Sequence, residues 1–208
     1  MRIELGVIED GTPRITFETF QTVRPLLEAQ SYIRSVGPYE GDPVDVDLDA
    51  FRTIVRWCRC NLVDAYYLAH GVAPDPANHT EPWLEVPDFP AITRKRVAVS
   101  RTRRYLRQED NPFFHQMIRQ GLGEHGVFIG LPDEHAWFEE LFHVRIEHVQ
   151  AEDAGVIVAI LNAVDLWVGN ESFVGALAEG LKKTAVRELN MSEWEMLCAF
   201  RRPNLFYV

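Results

Sequence analysis

The sequence predicts a mixed α/β (α+β) fold, and three kinds of pattern predict it. Near the N-terminus, two short runs alternate apolar and polar residues, as a strand with one buried face does. Farther on, apolar residues recur at three- and four-residue spacing, as on one face of a helix. Clusters of glycine and proline punctuate these segments. The chain has 208 residues, 47% of them hydrophobic and 25% charged. That is an ordinary folded-protein composition, with room for one large domain or for a core plus an extension.

The first alternating run places Ile3, Leu5 and Val7 on one face, and the second places Ile15 and Phe17 there, with Glu9-Asp10-Gly11 between them. This predicts a hairpin. Thr22 then fits a helix N-cap with Pro25 in the first turn, where its missing N–H costs little, and Gly37-Pro38 ends that helix. Val44-Asp45-Val46-Asp47 alternates again and predicts a third strand. Asp47 or Asp49 caps the next helix, on which Phe51, Ile54, Val55 and Cys58 share a face.

From Leu62 to Glu134 the texture changes. Pro74, Pro76, Pro82, Pro87 and Pro90 predict loops, and Arg94, Lys95, Arg96, Arg101, Arg103, Arg104 and Arg107 follow with no acid among them. Asn111-Pro112 predicts a capped helix start, Phe113, Phe114, Met117 and Ile118 its buried side, and Gly121 its end. Val127 to Ile129 reads as a short strand, and Gly130 to Asp133 as a turn into a helix bearing Trp137, Phe138, Leu141 and Phe142.

The stretch from Ala151 to Phe200 reads as three consecutive helices. Ala154–Leu166 is apolar almost all round and so belongs at the centre. Phe173, Leu177, Leu181, Ala185 and Leu189 repeat every four residues behind Asn170 as N-cap. Ser192 and Glu195 form a capping-box pattern before Trp194, Leu197, Cys198 and Phe200.

The formal net charge of -10 argues against nucleic-acid binding over the whole surface and leaves room for a local basic patch. Three cysteines, Cys58, Cys60 and Cys198, suit reduced structural thiols. Met1 to Asp10 lacks an apolar signal core, and the longest near-apolar run is far short of the ~20 residues that span a bilayer. A protein of the cytosol or nucleus, with no membrane contact, is expected.

Motifs that carry chemistry are sparse. Gly121, Gly123 and Gly126 spell GxGxxG, but the expected order is helix before and strand after, the reverse of a dinucleotide fingerprint. Glu140 and His143 have the spacing of a di-metal bundle ligand pair without the second copy such a site needs, although His135, Glu139 and His148 lie near. No catalytic residue, metal or cofactor is expected. The basic run reads first as a solvated linker and second as a patch for phosphates or for the chain's own acids.

Two hairpin strands, a helix, a short strand at Val44-Asp45-Val46-Asp47-Leu48 and a helix ending in Ile54-Val55-Arg56-Trp57-Cys58 resemble the BTB/POZ-type fold of Skp-family adaptors and elongin C. Trp137 and Phe142 are similar to that family's Trp-led helix after its linker. Ile160 to Leu166 resembles the run that closes the elongin C type of domain. Ser192-Glu193-Trp194-Glu195 stands near the family's last helix start. The resemblance implies a BTB/Skp-type core over 1–61 and 135–168, a small sheet packed with helices. It implies an insertion over 62–134 and a partner-binding helical extension over 169–208.

It also implies a non-enzymatic adaptor that links an F-box-type substrate receptor to a cullin-type ubiquitin-ligase scaffold. Receptor contacts then fall on Trp167, Phe173, Leu177, Leu181, Trp194, Leu197, Phe200 and Phe206, each of which also fits a core position, Leu177 and Leu181 above all. The cullin-like face falls on Val164 and Asp165, where the family has Asn-Tyr. The alternative is a BTB-like structural subunit of a nuclear or viral assembly whose basic insertion contacts nucleic acid. A second alternative is an enzyme with an unrecognised site, which a stoichiometric metal ion lost in His143→Ala would favour.

Overall fold

The computed structural model describes residues 2–5, 16–41, 43–58, 60–86, 93–190 and 199–208. It opens with a strand, β1 (Arg2–Leu5), and a helix, α1 (Phe17–Glu28), followed by β2 (Ser35–Pro38). β1 pairs with β2 in parallel, Ile3 opposite Val36, so the expected hairpin is replaced by a strand-helix-strand unit. The apolar residue Phe17, assigned to a second strand by alternation, starts α1 instead, because Phe20, Leu26 and Leu27 continue the pattern at helical spacing. Thr16, rather than Thr22, is the N-cap and accepts from Thr19 N–H at 3.1 Å. Residues 6–15, which carry the rest of the expected hairpin, lie outside the described residues.

Val44 to Asp47 form no strand, and Val44 and Val46 are exposed. Alternation there lacks a neighbouring strand to complete a ladder. Asp47 caps a 3-10 turn, Leu48–Ala50, that leads into α2 (Phe51–Cys58). α3 (Leu62–Ala69) packs on α2 through Phe51, Ala65 and Tyr66. A short α4 (Ala77–Thr80) follows.

The main body begins at β3 (Val97–Ser100). It continues through α5 (Pro112–Arg119), α6 (Leu122–His125), β4 (Gly126–Ile129), α7 (Pro132–Phe142), β5 (Glu147–Val149), α8 (Ala154–Ala163), β6 (Leu166–Asn170), α9 (Phe173–Gly180), β7 (Ala185–Glu188) and β8 (Leu205–Tyr207). The strands form one parallel sheet of six in the order β5-β4-β3-β6-β7-β8. Helices cover both faces. α5 and α7 pack Phe114, Trp137, Phe138 and Phe142 against Val99, Phe128 and Val168. α8 and α9 pack on the other face against Ala98, Val127 and Trp167, and Leu26 of α1 joins that cluster. The mixed α/β class is as expected, but the architecture is a doubly wound parallel sheet rather than a small sheet packed with helices.

Three boundaries therefore move. The stretch 62–134 is not an insertion, since β3 and β4 are inner strands of the sheet. Leu166–Asn170 is a strand rather than the end of a helix, and Ala185–Glu188 is a strand rather than a fourth helical turn. Strands buried on both faces read as continuous apolar runs, which periodicity alone does not separate from a buried helix. Ser172, not Asn170, caps α9, accepting from Gly175 N–H at 3.2 Å. α9 stops at Gly180, and the left-handed Lys182 (φ 51°) turns the chain into β7. Among the described residues, the partner-binding extension 169–208 thus supplies α9 and the strands β7 and β8 of the sheet. The Ser192–Glu195 capping box lies outside the described residues.

Candidate ligand-binding site

Counted from β3, the six strands run in the order 3-2-1-4-5-6, so the direction of winding reverses between β3 and β6. The loops after those two strands part there in opposite directions, and in open α/β sheets ligands bind at that reversal, beyond the carboxyl ends of the strands. Ser100, Arg101 and Thr102 leave β3 at this edge, Asn170 and Glu171 leave β6, and Glu188 ends β7.

A buried polar frame fixes the loops. Asn170, fully buried, accepts from Thr102 N–H at 3.0 Å and donates to Thr102 O at 2.7 Å, which ties the ends of β3 and β6 together. Below it, Trp167 Nε1 donates to Ser100 Oγ at 2.9 Å. Arg101 forms a fork on Glu188, with Nε to Oε2 at 2.8 Å and Nη2 to Oε1 at 3.0 Å, and both side chains are fully buried. Its remaining donors reach Glu109 O at 2.8 Å and Gln108 O at 2.6 Å, so one guanidinium folds the loop 102–110 back onto the sheet. Asn111 caps α5 through Phe113 N–H and also donates to Glu188 Oε1 at 3.1 Å. The rings of Phe114, Trp137 and Phe142 surround the Arg101 guanidinium within 5.3 Å. A charge so enclosed is stabilised by its fork partner and by the negative faces of the rings.

A second buried cluster flanks β7. Arg187 Nη1 meets Glu171 Oε1 at 2.6 Å, and Glu179 receives Lys182 at 2.7 Å and Arg202 at 3.0 Å. Tyr207 donates to Phe200 O at 3.0 Å and accepts from Phe200 N–H at 2.7 Å. Burial pushes the Tyr207 hydroxyl above its ordinary value, against the opposing pull of Arg187.

The basic residues do not form one patch. β3 separates them by roughly 16 Å at ~3.3 Å per residue. Arg94, Lys95 and Arg96 lie at the amino end, where Arg96 pairs with Asp165 at 2.7 Å and Lys95 with Glu147 at 3.6 Å. Arg103, Arg104 and Arg107 lie exposed on the loop after β3, at the winding reversal, with Arg103 over the Trp137 ring at 5.1 Å. Only Arg101 of the run is buried, and it serves the frame.

The receptor-contact residues are scattered. Trp167, Leu177 and Val164 are buried in the core, and Leu181 is half-buried beside it. Phe173 is 47% exposed and Phe206 58% exposed. Phe200 is half-buried near His79 and Lys182, and Trp194 and Leu197 lie outside the described residues. Of the cullin-like pair, Val164 faces the core and Asp165 is held by Arg96. The two are split because α8 ends at Ala163 and Val164 caps it inward.

Gly121 and Gly123 stand before β4 and Gly126 opens it; Gly121, at φ 94°, follows α5 and caps α6, so the glycine pattern does lie in the reversed order. His143 is a left-handed helix cap, and Glu140 and His143 are both exposed. Among the described residues, no group of three or more His, Cys, Asp or Glu side chains stands ready to hold a metal ion. No described helix is long and apolar enough to cross a membrane. Sequence reasoning missed Asn170, Arg187, Glu179 and Glu188 as a polar frame. The available signal was the set of charges and amides set inside otherwise apolar runs. Comparison with protein-family models, curated proteins and solved structures finds no match.

Proposed function

We propose that the carboxyl edge of the sheet binds a small anionic ligand of the phosphate-bearing class. The observation that carries this reading is the position of Arg103, Arg104 and Arg107. They stand on the loop that leaves β3 where the winding reverses, and Arg101 beneath that loop anchors it by hydrogen bonds to the carbonyls of Gln108 and Glu109. A preformed frame lowers the ordering cost of binding, and exposed arginines supply charge-assisted donors to phosphate oxygens. The overall charge of -10 makes this local cluster the more selective for a small anion over a polyanion.

Calorimetric titration with pyrophosphate and with nucleoside diphosphates tests the proposal. Saturable binding that weakens with salt is expected, and Arg103→Glu with Arg107→Glu weakens it at least about tenfold through like-charge repulsion. Affinity unchanged in the double variant, or no binding of any of these probes, refutes the site.

The adaptor role is the second proposal. It is supported by the exposure of Phe173 and Phe206, two apolar anchors of the kind that helix-in-groove partners bury. Phe173→Asp and Phe206→Asp then abolish recovery of F-box proteins and cullins in a pull-down. Recovery of neither from the unaltered protein removes the ubiquitin-ligase reading.

A further inference from the structure

A second cleft lies away from the carboxyl edge, where the N-terminal helices meet the segment leading into the sheet. It encloses about 780 Å³, and Tyr32, Leu48, Val63, Tyr66, Tyr67 and Trp83 supply most of its wall. That volume is within the ~300–1,000 Å³ of small-molecule pockets, which favour junctions between structural layers.

The wall is held from both sides. On one side Tyr66 packs on the buried Phe51 with ring centres 4.4 Å apart. On the other, Trp83 N–H and Leu84 N–H both donate to Gly180 O, at 3.0 and 3.1 Å, seating this segment on the end of α9. A side chain at Gly180 has no room there, because a Cβ meets Leu84 Cδ1 at 2.5 Å. Gln30 spans the gap, donating to Leu26 O at 2.9 Å and to Glu85 O at 3.2 Å while accepting from Glu85 N–H at 2.8 Å. The cleft is therefore preformed, yet Tyr32 and Trp83 stay 46% and 43% exposed along it.

Its polar groups are committed to one another. Tyr32 OH donates to Trp83 O at 2.7 Å, and Asn78 Nδ2 donates to Tyr67 OH at 2.9 Å. Glu85 accepts from Ser31 N–H at 2.8 Å and from Ser31 OH. Lys182, which reaches Asn78 O from behind, also bonds Glu179. Among the described residues, no cationic side chain lines the cleft. What it offers a guest is ring faces and methyl groups, with little free hydrogen-bonding capacity. A sugar would leave its hydroxyls unsatisfied there, and an anion would meet Glu85 without a counter-charge.

We infer that this cleft binds an uncharged, flat, ring-bearing small molecule, gripped between the Tyr and Trp rings. Offset stacking and burial of apolar surface supply the affinity. The site is independent of the anion site at the carboxyl edge, which lies beyond the opposite ends of the strands.

The test is a fluorescence titration of the whole chain with neutral N-phenylnaphthylamine, alongside its anionic relative anilinonaphthalene sulfonate. One saturable site per chain is expected for the neutral dye, with affinity insensitive to sodium chloride and weaker binding of the anion. Leu48→Asp places a carboxylate on the exposed rim and weakens binding at least about tenfold. Val63→Trp fills the cleft and abolishes it. Circular dichroism selects the variants that keep the fold, and Leu48→Asp, a surface change, keeps it. Unsaturable uptake, undiminished affinity in a folded variant, or preference for the anionic dye overturns the inference.

Discussion

Arg101 and Glu188 show what one residue pair does in this protein. The fork between them is closed to water and is completed by Asn111 and by two loop carbonyls. Removing one partner strands a buried charge, which costs about 3–5 kcal/mol, whereas replacing both with apolar side chains of similar size is far milder. Arg101→Met and Glu188→Gln are each expected to lower the urea midpoint sharply. The Arg101→Met, Glu188→Leu double variant is expected to recover most of the loss, and equal losses in single and double variants would count against the pair. The double variant also releases the loop 102–110 from its anchor. It should therefore bind pyrophosphate less well than its stability alone predicts. None of this was legible from the residue string, in which Arg101 looked like any member of a basic run. Its burial depends on a partner 87 positions away.

At the scale of elements, local patterns were readable wherever one face is buried and the other wet. Asn111-Pro112 opens α5, and Trp137, Phe138 and Phe142 fill the inner side of α7. Patterns were weaker where both faces are buried, although Val127–Ile129 of β4 was read as a strand there. Trp167 and Val168 point to opposite clusters, so β6 has no polar side to mark it as a strand. Val97, Ala98 and Val99, the apolar residues of β3, were hidden between arginines. The seam between β3 and β6 is tight at Gly169, where a Cβ meets Ser100 O at 2.2 Å and the Trp167 ring at 2.6 Å. Backbone cannot retreat as a flexible side chain does. Gly169→Ala is expected to cost about 3 kcal/mol, in the range of overpacked cores. It should also part the two strands that define the proposed anion site. Thermal melts with and without pyrophosphate check both effects, and a wild-type melting temperature would show the seam to be loose.

Across the whole molecule, helix α1 joins the N-terminal elements to the core of the sheet through Leu26. Leu26 of α1 lies in the same cluster as Val158 and Leu161 of α8, and α8 is apolar almost all round. Leu26→Ala is expected to lose about 3 kcal/mol, the usual cost of a buried leucine. It should lower a single unfolding transition rather than split it, as monitored by tryptophan fluorescence and circular dichroism together. Two separate transitions would mean that the layers fold independently. The mixed α/β class could be read from composition and punctuation. The winding order could not, because parallel pairing joins segments far apart in sequence and leaves no local mark.

That shared core also has a history during synthesis. α1 leaves the ribosome long before α8, the helix it must cover, since about 125 residues separate Glu28 from Ala154. At ~5–20 residues per second, the apolar stripe of α1 waits roughly 6–25 s for its partner. For that interval the nascent chain displays Leu26 with nothing to bury it. A chaperone that holds such stripes during that interval is expected to raise the folded yield.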